Sequence, residues 1–152
     1  MWSAKRRCRS RKFRKREEGS SPGQRGLKAL SPAVPESVLI FLDFDGVLRR
    51  ADAPLYCFEK PLRLAFEAAV RLIPGAEIVV TSTWREVAGL IDLRKLFSRD
   101  VAERMVGVTP IGEGGRYREI LMYLRATGAE GRRFVVVDDD PQSFPRGAAP
   151  PR

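Results

Sequence analysis

The chain has 152 residues, 43% of them hydrophobic and 31% charged, which suits one globular domain and excludes a disordered polymer. It contains no histidine, so His-based triads and His-ligated zinc are excluded and acid–base chemistry falls to carboxylates. The formal net charge of +9 sits wholly in residues 1–28, where eleven Lys or Arg meet two Glu; residues 29–152 hold seventeen charges of each sign.

Residues 1–36 are rich in Arg, Lys, Ser, Gly and Pro and lack periodicity, which predicts a disordered basic arm and linker. The arm, through residues 1–28, reads either as a weak polyanion contact that releases counterions from nucleic acid, or as a solvated tail or upstream extension. Its charged start has no apolar segment behind it, so no secretory signal is expected. No apolar run approaches the ~18 residues of a membrane span, and a cytoplasmic chain is expected. Cys8 and Cys57 are too few for a disulfide framework, and Cys57 reads as an inert small hydrophobe.

Residues 37–147 form the expected domain, with 148–152 as a tail. "VLIFLD" (38–43) reads as a buried strand, its apolar run continuous as in the middle of a parallel sheet. Apolar residues at 62, 64, 66, 69, 70 and 73 predict a helix over 60–73, stopped by Pro74-Gly75. "EIVVTS" (77–82) is a second strand, 85–105 a broken helix and "VGVTP" (106–110) a third strand. An amphipathic helix over 116–128 closes at Gly128, and "RRFVVVDDDP" (132–141) is a fourth strand that stops at Pro141. This alternation predicts an α/β fold: a Rossmann-like three-layer sandwich around a mostly parallel sheet.

In such a sheet the ligand site lies beyond the carboxyl ends of the strands. Three of the expected strands end there in polar residues: Asp43-Phe44-Asp45, Thr81-Ser82 and Asp138-Asp139-Asp140. Alternation along an extended chain would send Asp43 and Asp45 to one side, and Gly46 would allow a tight turn beside them. The acids would make an oxygen-rich pocket suited to Mg²⁺. Thr81 and Ser82 could bind phosphate or simply cap the next helix. Asp140, before Pro141, reads as a turn or cap residue, and Trp84 as core or rim packing.

"DFDGVL", "VVTS" and "VVVDDDP", in that order at strand ends, resemble motifs one, two and four of the haloacid dehalogenase (HAD) superfamily. "TSTWRE" and "VVVDDDPQSF" look more specifically like the small HAD domains associated with RNA-repair proteins. The resemblance implies a Mg²⁺-dependent phosphatase acting through an aspartyl-phosphate. It makes Asp43 the nucleophile and a metal ligand, and Asp45 the general acid–base that gives the metal its backbone carbonyl. Thr81 and Ser82 would hold the phosphoryl group, while Asp138 and Asp139 would complete the metal site. The superfamily's motif-three lysine has no counterpart before the last strand; Arg116 is the substitute, with Arg118 and Arg85 as rivals. Neither the segment before the first helix nor that between motifs two and four has room for a cap domain. An open site suits phosphorylated substrates that bring their own bulk, with nucleic-acid ends favoured. A HAD-fold binding or regulatory module, or a nucleic-acid-binding protein acting through its basic arm, is the alternative.

Overall fold

The computed structural model describes residues 37–50, 52–53 and 57–145. The expected arm and the tail therefore lie outside the described residues. Among those described, four strands form one all-parallel sheet: β1 (Leu39–Leu42), β2 (Glu77–Val80), β3 (Met105–Val108) and β4 (Phe134–Val137), in the order β3-β2-β1-β4. All four residues of β1 are buried, as its unbroken apolar run requires of a central strand. The edge strands are more exposed, at Val106 and Val135.

Both faces of the sheet are covered. Ile40, Leu42, Ile78 and Val80 pack with Val70 of α1 (Lys60–Arg71), Leu93 of α2 (Leu90–Arg94) and Val101 of α3 (Arg99–Ala102). The alternate residues Leu39, Phe41 and Val79 pack with Ile120 and Leu124 of α4 (Gly115–Ala126). Helix, sheet and helix thus make the three layers expected from the sequence. No helix among the described residues is long and apolar enough to cross a membrane.

Most elements are shorter than their sequence patterns. The broken helix resolves into a 3-10 turn (Thr83–Glu86), α2 and α3. The turn begins two residues early because the Ser82 side chain accepts from the Trp84 N–H. The buried face of α1 is narrower than its apolar stripe: Leu62 and Leu64 are exposed, and Glu67 occupies the buried face instead. Cys57 is exposed rather than packed as a small hydrophobe.

Glu67 accepts from the Ser98 N–H at 2.8 Å and from Arg63 at 2.8 Å, tying α1 to the start of α3. Burial drives its carboxyl up, but the Ser98 hydrogen bonds and Arg63 outweigh this and hold it below the usual range. A depressed folded value means stability that is present above about pH 4.5 and is lost as pH falls through that folded value. Glu67→Gln should therefore cost about 1–3 kcal/mol at neutral pH. Denaturant titrations should show the gap to the wild type narrowing in acid, and a gap independent of pH would contradict this account.

Candidate active site

Chain order and strand order part company at β1. From β1 the chain moves through β2 to β3, then returns by α4 to place β4 on the other side of β1. With crossovers of one hand, that reversal also moves the helix to the opposite face. A crevice opens between neighbouring connections at such a reversal, beyond the carboxyl ends of β1 and β4.

Asp43 follows β1 at that carboxyl edge. Its N–H donates to the Val137 carbonyl at 2.9 Å, which extends the β1–β4 ladder and brings Asp138 and Asp139 alongside. Oxygen atoms of Asp43, Asp138 and Asp139 lie within 4.8 Å of one another. Asp43 is buried, and burial pushes its carboxyl above the usual range against the opposing pull of Arg116. Arg116, near the start of α4, reaches Asp43 Oδ2 at 2.7 Å and Asp138 Oδ2 at 2.6 Å. Asp43 Oδ1 is buried with no hydrogen-bond partner among the described residues.

Gly46 lets the two acidic segments meet. Its φ is +75°, and a Cβ there would fall 2.0 Å from Asp139 Cγ. Any side chain would displace that carboxylate and strain the turn.

Asp45 departs from the arrangement expected. The chain does not stay extended after Asp43: the Phe44 carbonyl accepts from the N–H groups of Val47, Leu48 and Arg49, so the backbone turns. The Asp45 side chain consequently lies outside the three-acid group. One of its oxygens accepts from the Trp84 indole N–H at 3.1 Å and the other from the Arg49 guanidinium.

Of the two hydroxyl residues, only Ser82 takes the capping role considered for both, at the start of the following turn. Thr81 donates its N–H to Leu42 O at 2.9 Å beside β1, and its buried Oγ1 has no hydrogen-bond partner among the described residues. Asp140 is the expected cap, its carboxylate accepting from Gln142 N at 3.0 Å and Ser143 Oγ at 2.7 Å.

Of the basic candidates, the structure places Arg116 among the acids and leaves Arg118 exposed. The side chain of Arg85 is buried in a brace. It donates to the Thr81 and Thr109 carbonyls and pairs with Glu119 Oε2 at 2.6 Å. Glu119 Oε1 accepts from Gly112 N at 3.2 Å. The partners missed from the sequence are Arg49, Trp84 and Glu119. Only the i, i+4 spacing of Asp45 and Arg49 hinted at any of them.

An all-parallel α/β sheet thus carries, at the point where its strand order reverses, three clustered carboxylates and a paired arginine, groups of the kind that can hold a metal ion or a phosphate. The family model described as "HAD domain in Swiss Army Knife RNA repair proteins" matches residues 39–152. The chain belongs to that family. Comparison with curated proteins and with solved structures gave no significant match.

Proposed function

We propose that this domain hydrolyses phosphomonoesters with Mg²⁺ through an aspartyl-phosphate on Asp43. The observation that carries the reading is a pair of buried, unpartnered oxygens, Asp43 Oδ1 and Thr81 Oγ1, at the ends of adjacent strands in a site that also holds Arg116. Buried polar atoms without partners are costly unless a ligand completes them.

The residues fit a hard cation. Asp43, Asp138 and Asp139 supply clustered carboxylate oxygens, one of them open, and the Asp45 carbonyl would join them. Bound there, Mg²⁺ would offset the repulsion between the acids and a phosphate dianion. Thr81 and Arg116 would orient the phosphoryl oxygens, with Ser82 beside them. An Asp43 oxygen bonds to phosphorus while the bond to the leaving oxygen breaks, and that oxygen keeps the electron pair and takes a proton from Asp45. Water then attacks phosphorus and gives a proton to Asp45 as the bond to Asp43 breaks. The cycle returns both carboxylates to their starting states.

Two features support polynucleotide ends as the substrate. The family is described by its place in RNA-repair proteins. The connections at the site are also short: residues 43–59 lead from β1 to α1, and residues 81–104 hold only the 3-10 turn, α2 and α3. Neither is long enough for a domain that would close over a small metabolite. The second reading, a binding module without turnover, is favoured by Arg116, which already bridges Asp43 and Asp138.

The test pairs turnover with a binding readout. The protein should release phosphate from 3′- or 5′-phosphorylated oligonucleotides and from an aryl phosphate in Mg²⁺, and stop in chelator. Millimolar Mg²⁺ should raise Tm, since a ligand of the folded state alone stabilises it. Asp139→Asn should remove most of that rise. A Mg²⁺-dependent Tm without turnover would favour the binding module, and a Tm indifferent to Mg²⁺ would overturn the metal site.

A further inference from the structure

Asp45 is held from two sides. The Trp84 indole N–H takes a lone pair of Oδ2 at 3.1 Å, and the Arg49 guanidinium takes one of Oδ1. A free aspartate turns broadly about its last torsion, whereas two donors on different oxygens fix the plane of the carboxylate. Each oxygen keeps a second lone pair, and the side chain is 35% exposed, so a substrate can still reach it.

The donors are themselves immobilised. Arg49 is buried, donates also to the Ala53 carbonyl, and lies 5.8 Å from the centre of the Trp84 ring. The indole stacks on Phe58 and meets Phe44 edge-on, both at 5.5 Å. Phe44 sits between Asp43 and Asp45, so the packing that anchors the indole also anchors the segment carrying both acids.

We propose that Trp84 and Arg49 are positioning residues for Asp45, setting the direction in which its carboxyl hands a proton to the leaving oxygen. The inference rests on the reading of Asp45 as the proton donor. Misplacing a reacting group by about 1 Å can cost on the order of a hundredfold in rate, and the loss should fall on substrates whose leaving group needs the proton.

Trp84→Phe tests this by keeping a ring on Phe58 while deleting the N–H. The full chain is assayed in Mg²⁺ on a phosphorylated oligonucleotide, whose alkoxide leaves poorly, and on 2,4-dinitrophenyl phosphate, whose leaving group needs no proton. The ratio of the two kcat values should fall roughly tenfold or more in Trp84→Phe. In an Asp45→Asn background the same substitution should add nothing, because the group it positions is gone. Arg49→Lys should move the ratio the same way and serves if Trp84→Phe does not fold. An unmoved ratio, or equal loss on both substrates, would reduce the two residues to structural supports and overturn the inference. Failure of the wild type to turn over either substrate in an Asp43-dependent way would instead remove the underlying reading, and the inference with it.

Discussion

Asp43→Asn should reduce phosphate release by on the order of a thousandfold or more on every substrate, because in the proposed reaction it removes the attacking oxygen rather than an accessory group. The loss should come without unfolding. Burial holds the Asp43 carboxyl above its usual range, so the folded state retains this proton to higher pH than the unfolded chain does. Stability therefore falls as pH rises from 3.8 through the raised value, and the penalty persists at neutral pH. Asparagine carries no such charge, and in chelator its Tm should match or exceed that of the wild type. Asp45→Asn should differ, losing roughly a hundredfold or more on poor leaving groups while still being phosphorylated by activated ones. Comparable residual rates for both variants across leaving groups would mean that the nucleophile and the proton donor have been misassigned.

Arg85→Met should be the most destabilising single change in the brace, by about 3–5 kcal/mol, since it strands the buried Glu119 charge. It also removes donors from the Thr81 and Thr109 carbonyls, which close β2 and β3. Arg85→Met with Glu119→Gln should recover part of the loss, because no uncompensated charge then remains. Denaturant unfolding of both variants beside the wild type measures both effects, and a loss below about 1 kcal/mol in Arg85→Met, the range of a surface pair, would show that the brace carries little weight. Glu119 lies three residues after Arg116, so the brace also holds the first turns of α4 against the ends of β2 and β3.

Much of the site was legible because a parallel sheet converts strand order into position. Asp43, Thr81, Asp138 and Asp139 each end or follow an apolar run, and parallel strands in register must bring such residues to one edge. Arg116 was a weaker inference, resting on a missing lysine and a basic residue at a helix start. The departures from the sequence pattern have local causes. Alternation past Leu42 would keep Asp45 on the side of Asp43, but the Phe44 carbonyl gathers three N–H groups and turns the chain. Likewise Leu62 and Leu64 fit a helical period, yet the face of α1 against the sheet is narrower than the stripe and includes Glu67.

The sequence by itself determined the architecture: four apolar runs separated by helical segments too long for hairpins leave little but a parallel sheet covered on both faces. It also determined which residue types close those strands. Tertiary structure alone decided their partners. Arg49 and Trp84 are 35 residues apart, and Arg85 and Glu119 are 34 apart, distances over which periodicity carries no information. An arginine's pairing is set by which carboxylate and carbonyls the packed elements bring within about 3 Å. That is why Arg85, a rival for the phosphate from sequence, became a brace, while Arg116 settled among the acids.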